Sequence, residues 1–138
     1  MKYWKNEQEP IDVLVELFTK LFKDEELGPG LSKVNQLVLY DYTEDGKNCC
    51  FWMDTREGKL EVGPGKPSEN PELVMSLSAD DAHRCWSNKL NPVIAITRKK
   101  IRVKGSATGL LKLAPKLKKI AVYYNNILKE KGMEEIIL

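Results

Sequence analysis

The side chains of this 138-residue sequence that could support catalysis include one histidine, three cysteines and the adjacent carboxylates Glu25-Glu26 and Asp80-Asp81. His83 stands beside Arg84 in a segment with helical spacing. No second group at a regular interval identifies it as a general base or a metal ligand. The pattern therefore predicts a packing or surface role for His83. The pairs Glu25-Glu26 and Asp80-Asp81 fit helix ends and helix faces, where electrostatics favours them.

The cysteines and one glycine-rich run indicate equally little chemistry. Cys49 and Cys50 are adjacent and point to opposite faces of a strand, while Cys85 has no neighbouring histidine to lower its pKa. We expect three reduced, buried, apolar side chains. The run Gly63-Pro64-Gly65-Lys66 lacks the first glycine of a phosphate-binding loop, and Pro67 replaces the serine or threonine that should follow. We therefore predict a protein that is not an enzyme and holds neither a metal nor a cofactor.

Charge is divided unevenly along the chain, although the net charge is only +2. Residues 1–81 include 9 basic and 17 acidic residues, whereas residues 82–138 include 13 basic and 3 acidic residues. No aspartate or glutamate occurs from Ala82 to Lys129. Such a block indicates either a negatively charged partner (a phospholipid surface, a nucleic acid or an acidic headgroup) or a lysine-rich face that keeps the protein in solution.

The composition, 42% apolar and 30% charged, fits one globular domain over residues 1–138. No apolar run approaches the ~18 residues of a membrane span. Residues Met1 to Pro10 are polar and have no apolar core of a secretory signal. We expect a cytoplasmic protein.

Helical spacing recurs in the first half of the chain and just after its middle. Pro10 suits a first helical turn, and the apolar residues that follow repeat at helical intervals until Gly28-Pro29-Gly30, which we predict ends this helix. Ser78 and Asp81 have the spacing of a capping box and predict a helix to about Asn88.

The last third of the chain is also predominantly helical. Pro92 to Thr97 predicts a short helix, and a longer one follows Gly105. Pro115 must kink or split that longer helix, and Gly132 is a suitable end signal. One face of it is apolar and includes Leu110, Leu113, Leu117, Ile120, Ala121, Tyr124, Ile127 and Leu128.

Five segments have the composition of strands: Gln36–Tyr42, Cys49–Thr55, Leu60–Val62, Leu73–Leu77 and Ile101–Lys104. The first four are joined by short connections, of which the last is the loop Gly63–Ser68, and predict an antiparallel meander. The fold class is therefore α+β. The apolar helix faces indicate either a close-packed core or an under-filled one that leaves an apolar tunnel, and periodicity does not separate the two.

Three motifs give a more specific expectation: Pro71–Asp81, Asn88–Ala95 and Lys100–Gly105, followed by a leucine-rich helix. In these motifs, and in element order from Val34 to Leu117, the chain resembles the sterol carrier protein type 2 family. The resemblance implies an α+β fold in which helices cover one face of a five-stranded, mostly antiparallel sheet. It also implies an apolar tunnel between them for a fatty acid, a fatty acyl-CoA, a sterol or a phospholipid.

Taken with the periodicity, the resemblance implies two groups of functional residues. The tunnel-lining candidates are Val93, Ala95, Ile96, Ile101, Val103, Leu110, Leu113 and Leu117. The candidates for transient docking on an anionic membrane are Arg98, Lys99, Lys100, Lys112, Lys116 and Lys119, each contributing ~1 kcal/mol near the surface.

The leading hypothesis is a non-enzymatic protein that binds and transfers a lipid. A second is an accessory domain that presents acyl substrates to a separate enzyme, because domains of this family also occur fused to catalytic domains. A third is a nucleic-acid-binding module that uses the same lysines. Trp86 is the only aromatic residue between Arg84 and Lys119. Because nucleic-acid bases stack on aromatic side chains, this scarcity disfavours the third hypothesis.

Overall fold

A computed structural model describes residues 1–138, which form a five-stranded sheet with helices packed on one face. The strands are β1 (Leu37–Asp41), β2 (Cys50–Asp54), β3 (Glu61–Pro64), β4 (Leu73–Ser76) and β5 (Arg102–Lys104). Their order across the sheet is β3-β2-β1-β4-β5. Neighbouring strands are antiparallel except for the parallel pair β1 and β4. The predicted α+β class and mostly antiparallel sheet are confirmed.

The helices are α1 (Gln8–Leu21), α2 (Leu27–Ser32), α3 (Ala79–Trp86), α4 (Pro92–Thr97), α5 (Thr108–Leu111) and α6 (Leu117–Glu130). Helix α3 begins as predicted, because the Ser78 hydroxyl accepts a hydrogen bond from the Asp81 backbone N–H at 3.0 Å. Pro115 splits the terminal helix, as expected, and lies in a 3-10 turn between α5 and α6. None of the helices combines the length and the apolar character that a membrane crossing requires.

The alternation of side chains along the strands separates the two faces of the sheet. Val38 and Tyr40 of β1, Phe51 of β2 and Met75 of β4 all join the core beneath the helices. Helix α1 packs against α6 above this face. Cys49, in line with Phe51, also joins the core. All three cysteines are free and buried, as predicted.

The prediction of a four-stranded meander is wrong for its last strand. Strands β1, β2 and β3 do form one, but the chain then crosses the sheet, and β4 pairs parallel with β1. In this position β4 lies between β1 and β5, and its residues Leu73 and Met75 are 0% and 5% exposed. An alternating apolar pattern predicts a strand but does not specify the strand beside it.

The predicted end of the first helix is also wrong. Helix α1 ends at Leu21, and Gly28-Pro29-Gly30 lies inside the short helix α2. Proline is tolerated there because the backbone N–H groups of a first helical turn have no partner within the helix. The carboxylate of Asp24 accepts hydrogen bonds from the N–H groups of Glu26 and Leu27, both at 2.9 Å, and so begins α2.

The predicted loop from Gly63 starts too early, because Gly63 and Pro64 belong to β3. The Trp52 indole lies so close to Gly63 that a Cβ there would be 2.6 Å from it. Pro64 is accommodated because β3 is an edge strand. On such a strand a residue without a backbone N–H need not remove a hydrogen bond between strands.

Candidate functional site

An apolar cavity of about 100 Å³ lies between the sheet and the helices. Of its 18 lining residues, 17 are hydrophobic and the other is Pro92. Tyr40, Tyr42 and Met75 line it from the sheet side, Phe18 from α1 and Trp86 from α3. No lysine, arginine, histidine, aspartate or glutamate lines it. The arrangement is suited to an apolar ligand, because removing hydrocarbon from water is favourable without specific contacts.

The structure brings four of the eight predicted tunnel residues to this cavity: Ile101, Leu110, Leu113 and Leu117. The other four, Val93, Ala95, Ile96 and Val103, lie outside its lining. Helix α4 approaches the cavity with its first residue, Pro92, while Val93 is 49% exposed to solvent. Ala95 is fully buried in the core, and Val103 pairs with Met75 across the strands.

Several lining residues were not predicted from the sequence: Phe18, Leu21, Leu31, Tyr40, Tyr42, Met75, Leu77, Ala82, Cys85, Trp86, Leu111, Ala114 and Ile120. The apolar periodicity of the sequence places some of them, such as Phe18 and Ile120, on the apolar face of a helix, but it assigns no face to Leu31, Leu111 or Ala114. Which inner positions stay uncovered depends on how the helices sit across the sheet. That arrangement is not encoded in any local pattern.

The segment from Leu110 to Leu117 forms the most loosely covered wall of the cavity. Helix α5 is a single turn, and neither it nor the 3-10 turn at Pro115 includes a fully buried residue. The backbone here is held by short-range bonds, such as Leu113 N–H to Leu110 C=O at 3.0 Å and Lys116 N–H to Leu113 C=O at 2.9 Å. Proline prevents a continuous helix, so this wall has few regular backbone bonds.

Two of the lining residues, Tyr40 and Tyr42, have a side-chain hydroxyl, although the cavity surface itself is almost wholly apolar. The Tyr42 hydroxyl accepts a hydrogen bond from the Trp86 indole N–H at 3.2 Å. The Tyr40 hydroxyl is buried and has no partner. Burial raises the pKa of both tyrosines well above the ordinary value, so both stay protonated.

Cys49, Cys85 and His83 are all buried in the folded protein. Burial raises the pKa of Cys85, at the cavity, and of Cys49, in the core, to about 12, so neither is a thiolate at neutral pH. His83 is fully buried: Nε2 donates to the Ile136 carbonyl at 2.7 Å, and Nδ1 accepts from the Tyr124 hydroxyl at 2.6 Å. Of the packing or surface role predicted for His83, the structure shows the packing one. No group of three or more His, Cys, Asp or Glu side chains is arranged to hold a metal ion.

The predicted docking residues fall into two groups that differ in their partners. Lys116 pairs with Glu26 at 3.0 Å, and Lys119 pairs with Asp24 at 3.2 Å and with Glu26 at 3.3 Å. These pairs lower the pKa of Glu26 and raise that of Lys119, and they neutralise much of the local positive charge.

The remaining docking candidates have unpaired charges. Arg98, Lys99 and Lys100 are exposed at the end of α4, as is Lys112 beyond α5, and none of them forms an ion pair. Two apolar side chains of α4, Val93 and Ile94, are 49% and 46% exposed in the same short helix. Helix α4 and the residues after it therefore combine unpaired positive charge with exposed apolar side chains.

Comparison with curated proteins finds relatives that are much longer than this chain. Hydroxysteroid dehydrogenase-like protein 2 of Bos taurus is 32% identical over 100 residues, which are 72% of this chain and 23% of that protein. The same-named protein of Mus musculus is 31% identical over 120 residues, 86% of this chain and again 23% of the relative. The chain thus spans less than a quarter of the length of these relatives.

Solved structures of two other proteins have the same fold. The sterol carrier protein domain 2 of Helicoverpa armigera has a TM-score of 0.60 at 23% identity, covering 77% of this chain and 83% of that one. Palmitated SCP2L2 from Aedes aegypti has a TM-score of 0.55 at 18% identity, covering 76% and 90%. Finally, the sequence model of the SCP-2 sterol transfer family matches residues 15–118. The chain belongs to the SCP-2 sterol transfer family.

Proposed function

We propose that this protein is a non-enzymatic lipid carrier that holds an acyl chain, an acyl-CoA, a sterol or a phospholipid between its sheet and its helices. The observation that carries this proposal is the cavity of about 100 Å³ with an apolar lining. Each buried CH₂ contributes ~0.8 kcal/mol, so an apolar site needs few polar anchors to retain a long chain. The solved Aedes aegypti relative is named as palmitated, which agrees with an acyl ligand.

A long ligand must enlarge the cavity, and the Leu110–Leu117 wall is the part that can yield. Its side chains are half-buried, and its backbone is a single helical turn followed by a 3-10 turn. Outward displacement of this wall breaks few regular backbone bonds. The same wall faces solvent, so its movement also opens a route for the ligand.

The membrane-docking surface is proposed at α4 and the residues after it. Arg98, Lys99 and Lys100 offer unpaired positive charge, and Val93 and Ile94 offer exposed apolar side chains. The surface adjoins the cavity, because residues 92 and 101, on either side of it, line the cavity. Lys116 and Lys119 contribute less, since their charges are paired with acidic residues.

Titration with a fluorescent fatty acid tests the carrier role. We expect saturable binding of one probe per chain, and displacement of that probe by unlabelled lipid. The unfolded protein in urea serves as the control for nonspecific adsorption. Absence of binding to fatty acid, acyl-CoA and sterol probes alike would refute the carrier function.

Sedimentation with phosphatidylserine vesicles tests the docking surface. The triple variant R98Q/K99Q/K100Q should bind less than the matched triple variant K112Q/K116Q/K119Q, which removes the same charge. Wild-type binding should weaken as salt is raised, because the attraction is screened. A larger loss in the second variant would move the docking surface to that group of lysines. Preferential binding to single-stranded DNA would instead favour the hypothesis that the protein is a nucleic-acid-binding module.

The length of the relatives favours a second candidate function, the presentation of a lipid to a catalytic partner. The Bos taurus protein, named hydroxysteroid dehydrogenase-like, extends well beyond the 23% that this chain matches. In this role the cavity would hold a substrate rather than a cargo. Stimulation of a lipid-metabolising enzyme by the loaded protein, and not by the empty one, would support it. Equal activity with both would contradict it.

A further inference from the structure

The most loosely covered wall of the cavity and the start of α6 are joined to the segment that begins α2 by four polar contacts between side chains. The Lys116 ammonium donates to the Glu26 carboxylate at 3.0 Å. The Lys119 ammonium donates to Asp24 at 3.2 Å and to Glu26 at 3.3 Å. The Tyr123 hydroxyl donates to the second oxygen of Asp24 at 2.7 Å. Three of these four contacts are ion pairs.

These contacts hold two sides of the cavity together. Leu31 of α2 lines the cavity from one side, and Leu113 lines it from the wall. Leu113 approaches α2 so closely that a Cβ on Gly30 would be 3.0 Å from its Cδ2 atom. No backbone hydrogen bond joins residues 23–35 to residues 107–123. Side-chain contacts alone therefore close this side of the cavity.

The two lysines are the mobile members of the ion pairs. The Asp24 carboxylate is fixed by the N–H groups of Glu26 and Leu27, both at 2.9 Å, and its side chain is only 9% exposed. The side chains of Lys116 and Lys119 are each 44% exposed and have flexible stems. Exposed ion pairs are weak and are screened by salt, so a dense array of other anions can replace the carboxylates as partners of the lysines.

The surrounding charge favours an anionic membrane surface as the competitor. No aspartate or glutamate occurs from Ala82 to Lys129, and Lys112, four residues before Lys116, is exposed and forms no ion pair. A bilayer with acidic headgroups presents many negative charges at once and attracts clustered lysines. The proposed docking surface at α4 adjoins the same cavity, so docking there brings the membrane to the cavity that these ion pairs close.

We propose that Lys116 and Lys119 are a latch that holds the cavity wall against α2, and that an anionic membrane opens it by taking both lysines from Glu26 and Asp24. The inference rests on the proposed carrier function and specifies how release of the lipid is regulated. Exchanging one anionic partner for another adds little to membrane affinity, so the latch lysines control release without being the main docking residues. The lipid is then retained in solution and released at the membrane.

Release of a bound fluorescent fatty acid to excess cyclodextrin, followed by stopped flow, tests the latch without a membrane. K116Q/K119Q removes all three ion pairs, and E26Q removes two of them from the acidic side while keeping every lysine. Both variants should release the probe about fivefold faster than the wild type, as the loss of two or three exposed ion pairs predicts. Raising the salt concentration should speed release from the wild type and leave K116Q/K119Q unchanged.

The double variant K20Q/K118Q is the matched control, because it removes the same charge. It breaks the 3.3 Å ion pair between Lys20 and Glu130, and neither substituted residue lines the cavity. It should release the probe at the wild-type rate. Equal acceleration in this control, or no acceleration in K116Q/K119Q and E26Q, would overturn the latch while leaving lipid binding intact. Failure of the wild type to bind the probe would overturn the carrier function itself.

Transfer of the probe to vesicles tests whether a membrane opens the latch. The wild type should deliver the probe faster to phosphatidylserine vesicles than to phosphatidylcholine vesicles. E26Q should lose most of this preference, because its latch is already open, although it sediments with phosphatidylserine vesicles at least as well as the wild type. If E26Q keeps the wild-type preference, docking alone explains the faster transfer, and release of the latch by the membrane is refuted.

Discussion

Filling the cavity from α3 should stabilise the free protein and abolish its lipid binding. Ala82 lines the cavity and is only 2% exposed, so a leucine at this position places its additional carbons in the empty space. Empty core volume destabilises by about 24 cal/mol per Å³, so a cavity of about 100 Å³ corresponds to about 2.4 kcal/mol. This figure is the upper limit of the gain from Ala82→Leu, since imperfect fit reduces it.

Thermal and urea denaturation measure whether Ala82→Leu stabilises the free protein. For a domain of this size each kcal/mol shifts the melting temperature by roughly 3–4 °C, so the largest expected increase is about 10 °C. Titration with a fluorescent fatty acid measures lipid binding, and we expect the affinity of Ala82→Leu for the fatty acid to fall at least tenfold. The leucine and the ligand compete for the same space, so the two effects have one cause.

Ala121→Leu is the matched control, because Ala121 is also nearly buried in a helix but does not line the cavity. It should leave lipid affinity unchanged whatever it does to stability. If Ala82→Leu binds the fatty acid as tightly as the wild type does, the lipid does not occupy this cavity. The reasoning would then be refuted even if the variant melts at a higher temperature.

Two further predictions concern positions outside the cavity. Burial lowers the pKa of His83 below its unfolded value of 6.5, so the unfolded chain binds a proton that the folded chain does not, and stability falls as the pH drops from about 7 to 5. His83→Gln keeps a hydrogen-bond donor and an acceptor for the Ile136 carbonyl and the Tyr124 hydroxyl, but its side chain does not titrate. The free energy of unfolding, measured by urea denaturation at each pH, should therefore fall less in this variant than in the wild type as the pH drops. An equal fall in both proteins would contradict the prediction. Gly105→Ala should destabilise by about 2 kcal/mol or more, because Gly105 has φ 101° and a Cβ there would lie 2.2 Å from the Glu72 carbonyl oxygen. Gly65→Ala, with φ 79° and open space around it, should cost about 1 kcal/mol, and an equal loss in both would refute the steric argument.

Local physical chemistry determined most of the elements. The Ser78 cap, the α4 segment opened by Pro92 and the split at Pro115 each depend on residues within one helical turn of one another. Such short-range effects are present in the sequence itself. The same holds for the inert role of His83, because a lone histidine without neighbouring partners has no evident chemistry.

Two predictions from the sequence were wrong, one about the segment that became α2 and one about the position of β4. Gly28-Pro29-Gly30 has the composition of a helix stop, yet proline is also acceptable in a first turn. The Asp24 carboxylate favours the helix, because it accepts hydrogen bonds from the N–H groups of Glu26 and Leu27 where α2 begins. The position of β4 was missed for a different reason. Strand pairing over a long connection depends on which neighbour buries Leu73 and Met75 best, and that neighbour is distant in sequence.

The amino-acid sequence by itself determined the family, the fold class, the basic second half and the apolar character of the helix faces. Only the tertiary structure decided that the helices leave a cavity, and that Leu110 and Leu113 reach it while Val93 does not. The physical reason is that periodicity specifies which side of an element is buried. The space left between two buried sides is set by the relative placement of whole elements, to which residues far apart in the chain contribute together.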